Sequence, residues 1–286
     1  MVEGTFRFGT VGTPKNKPKK PGGSVGGIYY LHELGLQALE LGWVRSVRVS
    51  ESTALSIKEA GLDRDVALSV HAPYYINLNA DAEEWPRSRQ RLMDAARAGH
   101  QSGATDIVFH PGSYFGQPAA DVLKIAIPRL DDCLKELRAE ENPVILRPET
   151  MGKGAMLGSL GDTLEMSKLE GVEPCLDFAH LHARPGDGSV NTYQEWMEIL
   201  EAYREALGEK SLKRLHCHLS GIEYTEKGEQ NHLVIRESDF DLNALFQALF
   251  DSTAGGRILC ESPSLEEDAL FIQKSWQDLI DKKGKR

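Results

Sequence analysis

Along the chain, eight short apolar or alternating runs are separated by longer stretches in which apolar residues recur every three or four positions. Alternation marks strands and a period near 3.6 marks amphipathic helices, so the order predicts repeated βα units around a parallel sheet. Strands are expected near 6–11, 38–44, 67–72, 106–111, 144–149, 174–179, 214–219 and 257–262. Helices are expected over 81–101, 119–140, 192–207, 242–250 and 265–282, all on an outer ring, with Pro86 and Pro128 delimiting or kinking the first two. The second strand is the least distinct, because the preceding helix could run through it. Gly35 resolves the ambiguity: a glycine at that point suits a helix end with positive φ, and the residues beyond it alternate. Two stretches break the rhythm. Residues 13–27 are rich in Lys, Pro and Gly and read as an extended loop without the G-K-[ST] of a nucleotide-binding loop, and residues 220–240 read as a long polar loop.

Eight such units in 286 residues match a single (β/α)₈ TIM barrel spanning 1–286. Composition adds exclusions. With 41% hydrophobic and 27% charged residues and no apolar run near the length of a bilayer span, the profile is that of a soluble protein. The start, MVEGTFRFGTVG, lacks the pattern of a secretory leader, so a cytoplasmic location is expected. Cys133, Cys175, Cys217 and Cys260 form no C-x-x-C pair, which argues against a zinc finger or disulfide framework, and three of them fall in apolar runs that predict core packing. A net charge of −10 disfavours nucleic acid unless bound cations reverse the sign locally.

Six consecutive predicted strands each end on a metal-ligand type: His71, His110, Glu149, Asp177, His218 and Glu261, at intervals of 39, 39, 28, 41 and 43 residues. In a barrel these ends converge on one mouth, where barrel enzymes place their chemistry. Each residue alone is more often structural than a ligand. Six acidic or imidazole groups aimed into one cleft, however, repel one another unless cations or protons compensate them. Three histidines and three carboxylates favour zinc, with manganese second, over calcium or magnesium. Six donors exceed the needs of one ion with an open position, so at least two ions are expected, bridged by Glu149. Such pairs activate water and neutralise phosphoryl oxygens. His180 or His182, just after Asp177, is expected to add a ligand, and His232 in the polar loop to join it on a third ion. His216 shares a strand face with His218 and is expected in the barrel interior, while His32 and His100 lie in helical stretches away from the site.

The segments SVHAPYYINL (69–78), VFHPGSY (108–114), PETMGKGAMLGS (148–159), CLDFAH (175–180), HCHLS (216–220) and ILCES (258–262) resemble the endonuclease IV-type apurinic/apyrimidinic endonucleases, within the xylose-isomerase-like barrels. The resemblance covers nearly the whole chain. It implies a trinuclear zinc site: His71, His110 and Glu149 on one ion, Glu149, Asp177, His218 and Glu261 on the second, His180 and His232 on the third. Where that family places the remaining Asp, this chain has Gln230, and Glu229 or His182 would have to substitute. Ser220 and Gly221 replace the family's Asn-Asp. The resemblance further implies a monomer that cleaves double-stranded DNA 5′ to abasic sites, with Glu149 and Glu261 catalytic and Tyr74 inserted near the lesion. Lys15 and Arg45 would contact phosphates at the mouth. Two alternatives compete: a sugar isomerase or epimerase on the same fold, and a DNA-lesion-binding homologue with reduced cleavage, the latter prompted by Gln230.

Overall fold

The computed structural model describes residues 5–284, so the first four residues of the N-terminal stretch read above lie outside it. Strands β1 (Phe6–Val11), β2 (Ala38–Gly42), β3 (Ala67–His71), β4 (Asp106–Phe109), β5 (Ile145–Pro148), β6 (Cys175–Asp177) and β7 (Leu215–Leu219) belong to one sheet. After β7 comes a hairpin, β8 (Gly221–Thr225) and β9 (Gly228–Leu233), and then β10 (Gly256–Cys260), which returns to the sheet. The order is β5-β4-β3-β2-β1-β10-β7-β6 with parallel pairing throughout. Two parallel bridges between its outer strands, Leu146 to Val172 and Glu149 to Cys175, close the ring. The fold is a TIM barrel, as the alternation predicts.

Helices α1 (Gly23–Glu33), α2 (Glu51–Arg64), α3 (Trp85–Gln101), α4 (Ala119–Ala139), α5 (Leu160–Met166), α6 (Phe178–Ala183), α7 (Tyr193–Leu207), α8 (Leu242–Asp251) and α9 (Glu266–Gly284) connect the strands. Pro86 sits in the first turn of α3, where its missing N–H costs nothing, and α4 runs on through Pro128. Gly35 has φ +79°, the left-handed conformation that ends α1 and releases the chain into β2.

Two sequence expectations are corrected. The predicted loop at 13–27 gives way to helix at Gly23, because α1 packs closely against the loop below it. A Cβ on Gly26 would lie 1.9 Å from the Pro21 carbonyl oxygen, so only glycine permits that start. The predicted polar loop at 220–240 contains the β8–β9 hairpin, whose second strand, GEQNHL, carries almost no apolar pattern. Backbone pairing and the docking of Ile222 on Ala179 and Ala183 form it instead.

At the N-terminal end of the barrel, Arg147 Nε meets Asp106 Oδ1 at 2.7 Å and Arg257 approaches Asp106 Oδ2 at 3.1 Å. Burial would raise the Asp106 carboxyl, but the two guanidiniums outweigh it and hold the acid below its usual range. Ion pairs cross that pole, whereas the clustered imidazoles and carboxylates lie at the opposite mouth.

Candidate metal centre

At the C-terminal strand ends a cleft of about 560 Å³ opens among residues including His71, Tyr74, His110, His232, Glu229 and Glu261. Three groups of donors gather at its floor. His71, His110 and Glu149 form one; Glu149, Asp177, His218 and Glu261 another; Asp177, His180 and His232 a third, each with ligand atoms within 4.8 Å of one another.

The first group centres on Glu149 Oε2, which lies 3.2 Å from His71 Nε2 and 3.4 Å from His110 Nε2. His71 closes β3, so its Nδ1 reaches the carbonyl oxygen of Ala72 at 2.9 Å and donates there, which turns Nε2 toward Glu149. In the second group, Glu149 turns its other oxygen, Oε1, to His218 Nδ1 at 3.4 Å, and Glu261 Oε1 stands 3.5 Å from the same nitrogen. The single buried carboxylate after β5 therefore faces two groups in opposite directions. In the third, Asp177 caps α6 by accepting the His180 backbone N–H at 2.7 Å, which fixes the turn that carries His180 over the barrel. His180 Nδ1 donates to the Thr150 carbonyl oxygen at 2.9 Å, and its Nε2 lies 3.2 Å from His232 Nε2.

Charge explains why such a cluster demands cations. Burial would raise Glu149, yet His110, His218 and His180 outweigh it and hold the carboxyl well below its usual range. Burial would depress His71, but Glu149, with Glu40 and Glu261, raises it to about 9. For His180 burial again opposes, while Asp177, Glu149 and Glu229 lift it to about 10. In this arrangement protons supply the positive charge. Meanwhile Glu149 Oε1, Asp177 Oδ2 and His218 Nδ1 are buried with no hydrogen-bond partner, all within the second group. Unpaired buried donor atoms of mixed imidazole and carboxylate type fit zinc or manganese ions.

The eight residues expected as ligands thus lie in one connected cluster. Of the three candidate partners for the third group, Glu229 turns inward, its Oε2 3.5 Å from His180 Nε2 and its Oε1 4.0 Å from His232 Nε2. Two candidates are corrected. Gln230 is exposed and its amide reaches only the Glu229 backbone oxygen, because it is the bulged residue of β9: Tyr224 pairs with Glu229 and Glu223 with Asn231, so Gln230 has no residue opposite it and Glu229 and His232 both face the cleft. His182 points away: two residues along α6, its Nδ1 donates to the Ser189 carbonyl oxygen at 2.9 Å and its Nε2 lies 3.1 Å from Asp239 Oδ1, with its ring against Tyr224 and Phe240. Glycine makes room for Glu229, since a Cβ on Gly152 would come within 2.7 Å of Glu229 Cβ.

At the rim, Tyr74 stacks on His110 with ring centroids 4.8 Å apart and remains half exposed. Arg45 is exposed in the loop after β2, and the Lys15 ammonium contacts the Pro263 carbonyl oxygen beside Glu261. His32 and His100 lie exposed on α1 and α3, and all four cysteines are buried thiols. One polar residue of the interior escaped the sequence reading. Glu40, fully buried on β2, touches both His216 and His218. Its only signal was an acid standing alone within the apolar run Leu36–Val44.

Residues 28–280 match the family described as xylose isomerase-like TIM barrel. An uncharacterized protein of Methanocaldococcus jannaschii is 37% identical over 273 residues, 95% of this chain and 97% of its own. A probable endonuclease 4 of Streptomyces coelicolor is 29% identical over 213 residues, 67% of this chain and 69% of its own. Among solved structures, endonuclease IV from Thermus thermophilus superposes with a TM-score of 0.71 at 19% identity, covering 96% of this chain and 99% of its own. A D-tagatose 3-epimerase-like protein gives the same TM-score, 0.71, at 17% identity over 97% and 99%, so these two likenesses speak to the fold alone. The chain belongs to the xylose isomerase-like TIM barrel family, and among the family's curated proteins it is similar to those called endonuclease 4.

Proposed function

We propose that the chain is a divalent-metal-dependent phosphodiesterase that cuts double-stranded DNA on the 5′ side of an abasic site, leaving a 3′-hydroxyl and a 5′ deoxyribose phosphate. The observation that carries this reading is the placement of Glu149, one carboxylate oxygen toward each of two histidine-containing groups, with a third group sharing Asp177. His71, His110 and Glu149 would hold one ion; Glu149, Asp177, His218 and Glu261 a second; Asp177, His180, His232 and Glu229 a third. Zinc is the first choice and manganese the second. Divalent ions held there acidify water and neutralise charge on phosphoryl oxygens, which a scissile phosphodiester requires.

The chain's own residues supply position and proton traffic. Glu261 stands on the cleft wall with a little of its carboxylate exposed. It would orient the attacking water opposite the 3′-oxygen and take its proton as the new P–O bond forms and the P–O3′ bond breaks, the departing 3′-oxygen taking a proton from solvent to become the 3′-hydroxyl. Tyr74, pinned by its stack on His110, offers an aromatic face where an extruded baseless sugar meets the rim, and an abasic nucleotide is easier to extrude because no base pair is broken. Arg45 and Lys15 contact flanking phosphates. Three groups of donors exceed what a sugar epimerase with one ion needs, which favours the nuclease. The inward Glu229 supports a complete third group despite Gln230, and with it cleavage over lesion binding alone.

A duplex carrying one abasic analogue tests the reading, incubated with the zinc-loaded, manganese-loaded and chelator-treated protein. Incision 5′ to the analogue that chelator abolishes is the expected result. Absence of incision with either metal refutes it, and tight lesion binding without incision would assign a recognition role instead.

A further inference from the structure

Metal-binding histidines need a second contact on the outer ring nitrogen, because that contact decides which nitrogen carries the proton and where the ring points. His71 and His180 obtain it from backbone. They lie at a strand end and in a short helix, where the carbonyl oxygens of Ala72 and Thr150 are within reach at 2.9 Å each. His218 differs. It lies inside β7, between strands β6 and β10, where backbone carbonyls serve the ladder. A side-chain acceptor must take their place.

Glu40 stands there. Its side chain is fully enclosed in the barrel interior beneath the metal cluster. Ser69 Oγ donates to its Oε2 at 2.7 Å, and His216 Nε2 lies 2.8 Å from the same oxygen. The other oxygen, Oε1, is 2.9 Å from His218 Nε2, within hydrogen-bonding distance though off the N–H axis. The opposite edge of the same imidazole presents Nδ1 to Glu149 and Glu261 at 3.4 and 3.5 Å. His71 faces the His218 ring, with centroids 5.9 Å apart, and the His218 side chain is fully buried.

We propose that Glu40 is the positioning residue of the second metal group: it keeps the His218 proton on Nε2 and aims the Nδ1 lone pair at the ion shared with Glu149, Asp177 and Glu261. This rests on the reading of His218 as a ligand. A carboxylate with no such task is a poor choice for a barrel core, since an apolar residue of similar volume fills the space without desolvating a charge. Ser69 and His216 complete the arrangement: they satisfy Oε2 and leave Oε1 to His218. The carboxylate also increases the donor strength of the imidazole, which an amide or a backbone carbonyl does less.

Two measurements test it. In protein labelled with ¹⁵N-histidine, long-range ¹H–¹⁵N spectra of the metal-free parent should show His218 protonated on Nε2, and zinc should leave that proton in place while shifting Nδ1. A ring whose only proton sits on Nδ1, or loss of the Nε2 proton when zinc binds, overturns the proposal without any variant. Second, zinc affinity is measured by chelator competition for the parent, Glu40→Leu, Glu40→Gln and Ser69→Ala, beside the unfolding temperature of each metal-free protein. Glu40→Leu should weaken one bound ion by about 10–100-fold and leave the ion at His71 and His110 in place, Glu40→Gln should lose less, and Ser69→Ala should stay within about threefold of the parent. Zinc affinity of Glu40→Leu equal to the parent, or a drop matched by Ser69→Ala in proportion to lost stability, reduces Glu40 to core packing. A parent that binds no zinc at all overturns the metal reading of the whole site, a result distinct from either.

Discussion

Removing the metals should make the fold sensitive to pH in a window where ordinary proteins are indifferent. His71 and His180 are raised from 6.5 to about 9 and about 10 by the carboxylates around them. A group whose folded pKa is raised adds stability in full below its unfolded value, and that contribution is lost as pH climbs toward the folded value. Between pH 6 and 8.5 the unfolded chain gives up its imidazole protons while the metal-free fold still holds them. Each pH unit above 6.5 then costs about 1.36 kcal/mol per histidine, so one histidine accounts for ~2–3 kcal/mol over this range. Both rings lean on Glu149, so their contributions overlap and the single-histidine figure is the one to test. Cysteine thiols raised by burial begin to act only above their unfolded value near 8.5, outside the window. The assay is equilibrium urea unfolding of chelator-treated protein at pH 6 and 8.5, beside the zinc-loaded protein, in which neutral imidazoles would leave no such slope. Calorimetric titration of zinc into the metal-free protein at pH 7.5, in two buffers of different ionisation enthalpy, should show proton release from His71, His180 and His218; for the last, burial opposes but Glu261, Glu40 and Glu149 hold it well above its ordinary value. Flat stability from pH 6 to 8.5 together with no proton release would refute the claim that protons occupy the cation positions of this cluster.

The barrel itself was legible because its determinants are local and repeated. Each strand is a short apolar run, each α3-like helix carries its own period, and Gly35 marks a boundary by a conformation other residues avoid. The same holds for the ligand ring: His71, His110, Glu149, Asp177, His218 and Glu261 each occupy a strand end, so one repeat length predicts their convergence. What could not be read depends on partners distant in sequence. The β9 strand has no apolar alternation of its own, since its pairing with β8 is made by backbone, and without that hairpin nothing shows that Glu229 and Gln230 face opposite ways. Glu40 is 176 residues from His216, and only the barrel's closure sets them 2.8 Å apart. His182 illustrates the converse error, because two residues of spacing mean the same face on a strand but roughly opposite faces on the helix that α6 turns out to be.

Four substitutions carry these arguments to the bench. Glu149→Gln should keep the barrel folded yet remove two ions by elemental analysis, because the residue faces two groups, and incision should fall by at least about 10³-fold, the loss of several kcal/mol of charge neutralisation; a full metal count in this variant would show that Glu149 bridges nothing. Glu229 decides the third group. If its carboxylate serves there in place of the absent Asp, Glu229→Gln should lower the affinity of one ion by more than the roughly 10–100-fold typical of an outer contact, whereas Gln230→Ala should change neither metal count nor incision. Gly152→Ala adds a steric version of the same test, since its methyl would sit 2.7 Å from Glu229 Cβ, 2.9 Å from Oε2 and 3.0 Å from His180 Cδ2, crowding both side chains of the third group without removing any donor atom. Loss of the same single ion in Glu229→Gln and Gly152→Ala ties the third group to the position of those side chains, and retention of every ion in both would leave His180 and His232 as a hydrogen-bonded pair at the cleft wall.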